Sequence, residues 1–378
     1  MFRAIIFLTF FAAAVPCFCE EQTALDRARR EAYDSAESRK CVDAGLRWIA
    51  DHQLADGGWS FDLDKCPKCR GQCSDSGHLA DARIAPTALA LWAMFRGEQT
   101  PRRGEHRRSV AKGLKFLLDR AQKEEGGWSF GEESGPLDSH ALTMIMLCEA
   151  YGIDGRRLSE FKETVQRTAS HGLSVQNRDG GWGRPKSDIV STAWYMFALD
   201  RYHRSYLDVP AENVKRLTKY IDRIAAEDEP GPVQGSPRND HRRATAAELF
   251  CRIHIDKPFE DPVKKAIDRL AAGGYAKEDM VYNLFAGETL ILHGTTGLHQ
   301  DARWRRWNVG LRDWLVEQQV KDGHESGSWT PVKSSAESSA GGRLYSTAMA
   351  TLILETYYVP RWCNCGRGGH QGDEEFPE

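Results

Sequence analysis

Two kinds of apolar pattern alternate along the chain. In the first, apolar residues share one helical face: Leu46, Ile49 and Ala50 fall together while Arg47 and Asp51 point elsewhere, and Leu114, Leu117 and Leu118 do the same beside Lys115 and Asp119. In the second, the segment is apolar on nearly every side, as in Thr87-Ala88-Leu89-Ala90-Leu91-Trp92-Ala93-Met94. A helix without a polar face must be enclosed by others, so the first kind predicts outer helices and the second inner ones. Inner segments begin near Thr87, Ser139, Thr192, Thr245, Tyr282 and Thr347. The first four are about 50 residues apart, the length that two helices and two loops consume. Six hairpins with no polar capping repeat at either end predict an all-α fold closed into a ring, an α/α toroid.

A glutamine, a glycine turn and an aromatic residue join outer to inner segment. The copies are Gln53 with Gly57, Gly58 and Trp59; Gln122 with Gly126, Gly127 and Trp128; Gln176 with Gly180, Gly181 and Trp182; and, more loosely, Gln319 with Gly323 and Trp329. The glycines permit turns that other residues resist, and tryptophan supplies packing area with one N–H to satisfy. The pattern resembles the QW repeat of squalene and terpenoid cyclases and of protein prenyltransferase β subunits, over roughly residues 41 to 358. The resemblance implies structural roles for Gln53/Trp59, Gln122/Trp128, Gln176/Trp182 and Gln319/Trp329: the glutamine ties helix ends and the tryptophan packs on them.

The catalytic motifs of the resembled family are missing. Its cyclases protonate substrate with an aspartate in DxDDTA at the start of an inner helix. The corresponding starts here include Ile84-Ala85-Pro86-Thr87-Ala88, Asp138-Ser139-His140-Ala141, Asp188-Ile189-Val190-Ser191-Thr192-Ala193 and Leu344-Tyr345-Ser346-Thr347-Ala348. Asp188 keeps the first carboxylate, and Val190 stands where the proton donor belongs. Prenyltransferase zinc would need an Asp-x-Cys besides a histidine such as His140, and Asp188-Ile189-Val190 lacks the cysteine. The reading is therefore a non-cyclising binding or scaffold toroid with an apolar central cavity. Its alternative is a divergent terpenoid- or glycan-acting enzyme with Asp138, His140 and Asp188 as acid and base candidates; the two aspartates also suit helix capping. The expected cavity lining is Trp92, Trp194, Tyr195, Tyr282, Asn283, Phe285 and Tyr345, and the expected guest is an apolar or isoprenoid small molecule.

Charge adds little: a net of -3 with pI near 6.5 gives no nucleic-acid footprint. Arg3 followed by the apolar run Ala4 to Val15 reads as a signal peptide over residues 1–19, predicting export. Residues 20–40 form a charged lead-in, 41–360 the toroid, and 361–378 a Cys/Gly-rich acidic tail. Cys41, Cys148 and Cys251 sit singly in helical context, as buried thiols do. Cys66, Cys69 and Cys73 cluster in an insertion in the first hairpin, and Cys363 and Cys365 follow the last helix. Ring closure makes the two clusters neighbours, and their chemistry suits disulfides, a structural zinc with His78 or His370, or free thiols.

Overall fold

The computed structural model describes residues 35–132, 134–153, 159–205, 207–226, 240–255, 261–294, 302–332 and 334–356. The expected signal peptide, most of the expected lead-in, and the tail with Cys363, Cys365 and His370 lie outside them. Among the described residues twelve helices run α1 (Ala36–Asp51), α2 (Ile84–Arg96), α3 (Arg107–Leu118), α4 (Ser139–Ile153), α5 (Ser159–Ser174), α6 (Ile189–Arg204), α7 (Ala211–Ala226), α8 (Asp240–His254), α9 (Asp261–Ala272), α10 (Met280–Gly294), α11 (Ala302–Gln318) and α12 (Ala336–Glu355). A hairpin of β1 (Gln122–Glu124) and β2 (Gly127–Ser129) is interposed after α3. The even-numbered helices pack in sequence, α2 on α4, then α6, α8, α10 and α12, and α12 returns to α2. The fold is an α/α toroid.

Composition decides the layers. Every residue of α2 is buried, whereas α3 buries Val110, Gly113, Phe116 and Leu117, and α7 buries Leu217, Tyr220 and Ile221. An inner helix removes apolar surface from water on all sides, at about 25 cal/mol per Å², and an outer helix does so along one stripe. Cys41, Cys148 and Cys251 are buried thiols in these packed layers.

Three glutamines stitch consecutive outer helices together. Gln53 Nε2 donates to the carbonyls of Gly57 (2.7 Å) and Ser109 (2.8 Å), Gln176 to those of Gly180 (2.8 Å) and Asn213 (3.1 Å), and Gln319 to those of Gly327 (2.9 Å) and Cys41 (2.8 Å). Each joins its own turn to a carbonyl near the start of the next outer helix, and Gln319 makes the link from the last hairpin back to α1. The paired tryptophans donate their Nε1–H to the preceding outer helix: Trp59 to Ile49, Trp182 to Gly172 and Trp329 to Leu315. Their backbone N–H groups donate to Thr87, Thr192 and Thr347 of the inner helices. At Gly180, φ is +97° and a Cβ would stand 2.0 Å from the Arg216 carbonyl oxygen. Only glycine lets that turn approach α7.

The second copy is built differently. Gln122 is exposed on β1 and Trp128 is half-buried beneath Lys123, while Phe130 takes the buried aromatic position and its N–H donates to His140 Nδ1. The expected Gln122/Trp128 tie is replaced because β2 itself packs on α5, with Gly127 against the backbone of Arg167 and His171.

The insertion between Phe61 and Ala82 closes the ring. Arg343 reaches from α12 to Asp75 (2.8 Å) and Glu325 (3.0 Å), and its backbone N–H donates to the Asp75 carbonyl. Cys66, Cys69 and Cys73 are buried thiols here. His78, expected beside them, is exposed at the mouth of the ring instead, because its backbone N–H follows the Ser339 carbonyl away from the cysteines. No helix of the described residues is long and apolar enough to cross a membrane.

Candidate binding cleft at the mouth of the ring

The N-terminal ends of α4, α6 and α12 surround a cleft of about 750 Å³. Asp138, His140, Asp188, Trp194 and Tyr195 line it, together with Glu132, His171, Arg184 and Glu337. Trp92, Tyr282, Asn283, Phe285 and Tyr345 do not: each is almost wholly buried, and among the described residues they are packed in the centre of the ring rather than arranged around the expected apolar cavity. Trp92 meets Trp194 and Phe197 edge-on, at 6.2 and 5.4 Å between ring centroids. Trp194 meets Phe285 at 4.9 Å, and Phe250 bridges Phe197 and Phe285 at 5.3 and 5.2 Å. Asn283 is occupied with both backbone polar groups of Ala276, and the Tyr282 hydroxyl donates to Gly274. Tyr345 is buried beside the Arg243–Glu337 ion pair.

Beneath these rings, four inner helices contribute a charged floor. Arg96 lies 3.0 Å from both Glu149 and Glu288, and Arg201 lies 3.0 Å from Glu149 and 3.4 Å from Glu288. Trp92 Nε1 donates to Glu149 at 2.9 Å, joining rings to floor. Two arginines alternating with two carboxylates satisfy one another's charge inside the ring, as burial demands.

The carboxylates of the mouth are mostly caps. Asp188 accepts the Ser191 N–H (2.8 Å), Asp138 that of Ala141 (2.9 Å), and Glu132 those of Arg83, Ile84 and Ala85 (2.8, 2.9 and 2.6 Å). Asp138 has a second character. Burial raises its pKa, against the Ala141 N–H, the Tyr195 hydroxyl and Arg184, which favour the anion. Tyr195 stacks on Trp182 at 5.2 Å, and burial holds its phenol well above the ordinary range. His171 faces the group from α5, its ring 4.8 Å from that of His140, and burial lowers its pKa.

The His140 imidazole is held neutral with its Nδ1 lone pair engaged. Its Nδ1 accepts the Phe130 N–H, so its proton sits on Nε2, and burial followed by His171 pushes its pKa down to about 3. The unfolded chain protonates this imidazole near the ordinary 6.5 and the folded chain does so only near 3. The unfolded state therefore binds more protons between those values, and stability falls as pH drops through that window, by about 2 kcal/mol at pH 5. His140→Thr substitutes the residue that Thr87, Thr192 and Thr347 supply elsewhere. The variant is expected to lose packing at pH 7 yet show a flatter stability–pH curve, measured by urea denaturation between pH 5 and 7 with Asp138, His171, Tyr195 and Arg184 unchanged. An unaltered slope would contradict this assignment.

His140 thus stands in the threonine position, and this re-registers the second inner helix. Counting back from the threonine equivalents, the donor position of DxDDTA is Ala85 on α2, Asp138 on α4, Val190 on α6 and Tyr345 on α12. Asp138 is the carboxylate among them. Reading from Asp188 alone conceals this, because a histidine in place of threonine masks the motif. His171 and Glu132 carried no sequence signal, since both sit among polar residues that read as solvated.

A ring of paired helices with its cleft at the inner-helix N-termini defines the toroid class. Residues 22–197 match the family described as the squalene-hopene cyclase C-terminal domain. The chain is 30% identical over 229 residues to a squalene–hopene cyclase of Bradyrhizobium diazoefficiens, covering 55% of this chain and 32% of that protein. To a drimenyl diphosphate synthase of Streptantibioticus cattleyicolor it is 33% identical over 135 residues, 34% and 24% of the two chains. The chain thus spans about a third or less of these curated relatives. Among solved structures, the type II terpene cyclase MstE from Scytonema superposes with a TM-score of 0.52 at 14% identity, over 85% of this chain and 98% of that one. An alpha-1,6-mannanase from a Salegentibacter species gives 0.57 at 9% identity, over 85% and 99%. These structural likenesses are likenesses of fold.

Proposed function

We propose that this chain is an exported, non-cyclising toroid that binds a small amphipathic molecule at its mouth. The observation that carries the proposal is the packed axis: among the described residues, five interlocked aromatic rings above an arginine–carboxylate floor occupy the centre of the ring in place of an open chamber. The cleft above them offers Trp194, Val190, Val175 and Leu137 to an apolar portion, and Asp138, Tyr195 and the hydroxyls of Ser129, Ser134 and Ser139 to a polar one. The neighbours' ligands are geranylgeranyl dihydroxybenzoate in MstE and, by its name, an α-1,6-mannan for the mannanase. One is amphipathic and the other hydroxyl-rich, which is the chemistry this cleft accommodates. The apolar run Ala4 to Val15 supports export.

Solvent extraction of protein isolated from its native host, followed by mass spectrometry, tests the reading. A specific small molecule should accompany the wild type. Trp194→Ala removes roughly 100 Å² of apolar contact at about 25 cal/mol per Å², a loss of roughly 50- to 100-fold in affinity. Extracts matching those of a control protein would overturn the binding role. A second reading is favoured by the register of Asp138: a carboxyl group with raised pKa, at the donor position and bonded to Tyr195, is equipped for general acid catalysis. Turnover of the extracted molecule, abolished by Asp138→Asn with binding retained, would decide for it.

A further inference from the structure

We infer that His52, Cys69, Cys73 and His324 form a zinc site that staples the first hairpin of the ring to the last. One ligand atom from each residue lies within 4.8 Å of all the others, and Cys73 Sγ is 3.3 Å from His52 Nε2. Tetrahedral zinc, with bonds of about 2.3 Å to sulfur and 2.0–2.1 Å to nitrogen, places its ligands about 3.3–3.8 Å apart, so small side-chain shifts complete the geometry.

Further features point to a cation. His52 is buried, and its Nδ1 lies 2.7 Å from the Trp48 carbonyl oxygen. Nδ1 therefore carries the proton, and the Nε2 lone pair is aimed at Cys73, the tautomer that backbone carbonyls impose on metal-ligating histidines. Trp48 stacks on the same ring at 3.9 Å and fixes its plane. His324 Nε2 is buried with no hydrogen-bond partner among the described residues, a cost that a metal bond would remove. Left-handed turns at Arg70 (φ 51°) and Gly71 (φ 71°) fold the segment back between the two cysteines. A crevice of about 230 Å³, lined by Trp48, Asp51, His52 and His324, gives an ion access.

Two thiolates with two imidazoles suit zinc over harder divalent ions. Residues 52 and 324 are neighbours only because the toroid closes, so the site is built from its two ends. Cys66 stands outside the set, with its Sγ near the Asp51 carbonyl at 3.8 Å. The pairing of Cys69 and Cys73 with histidines of the described ring differs from the ligands suggested by sequence, His78 and His370.

Elemental analysis of the purified full chain tests the site, with about one zinc per chain expected. Cys73→Ser and His324→Ala are each expected to lower zinc affinity by roughly tenfold or more, with helical circular dichroism retained, whereas Cys66→Ser keeps the metal. Should a variant fail to fold, cobalt loading of the wild type supplies an independent readout: a thiolate-to-cobalt charge-transfer band, with Cys69 and Cys73 protected from alkylation. Absence of that band overturns the proposal. So does a Cys69–Cys73 disulfide in unreduced peptide maps, or zinc that survives His324→Ala and disappears with Cys363→Ser.

Discussion

Gly342→Ala is expected to cost about 3 kcal/mol or more and to open the ring between its last and first hairpins. Gly342 interrupts α12 at φ 58° and ψ -148°, a conformation essentially closed to residues with a Cβ. The break lets the insertion enter: Arg343 N–H donates to the Asp75 carbonyl at 2.9 Å, and its guanidinium meets Asp75 and Glu325. A Cβ at 342 would stand 2.3 Å from Gly77 N and 2.4 Å from the Asp75 carbonyl oxygen. Both are backbone atoms, so no side-chain rotation relieves the overlap. Urea denaturation should show the loss, and limited proteolysis should cut first between Phe61 and Ala82. A variant as stable as the wild type would mean that α12 does not hold the insertion in this way.

The charged floor gives the second large effect. Arg96→Met removes one of the two arginines that face Glu149 and Glu288, in a site where Arg96 and Glu149 are almost wholly buried. Removing one partner of a buried ionic network costs about 3–5 kcal/mol, because the orphaned charge keeps its desolvation penalty. Arg96 is held firmly charged: burial opposes the cation, and Glu149 and Glu288 outweigh it. The double variant Arg96→Met/Glu149→Gln should lose less than the sum of the single changes, because it removes the charge that the single change strands. Strict additivity, or a single variant within about 1 kcal/mol of wild type, would show that the network is solvated rather than structural.

The layers of the fold were legible because burial on all sides and burial on one side leave different residue patterns, as in α2 against α3. Glutamine and tryptophan announced three of the turns for a related reason: a buried amide and a buried indole each need fixed partners, and a repeat supplies them at fixed spacing. The second turn misled because β2 and Phe130 take over the packing, which no spacing rule encodes. Asp138 emerged as the donor-register carboxylate only once the Phe130–His140 hydrogen bond aligned the helices. The floor was invisible for another reason. Arg96, Glu149, Arg201 and Glu288 come from four different inner helices, and their pairing runs across the ring, where sequence carries no periodic signal. The same holds for His324, which approaches the cysteines only in the closed toroid, whereas His52 shares their hairpin.

The packed axis is the central claim, and its most direct test is incubation of the purified chain with squalene and with geranylgeranyl diphosphate, followed by gas chromatography with mass detection. Substrate should be recovered unchanged, because Trp92, Trp194, Phe197, Phe250 and Phe285 occupy the space a folded polyene needs. A cyclised product that vanishes with Asp138→Asn would contradict the account and make this toroid a cyclase.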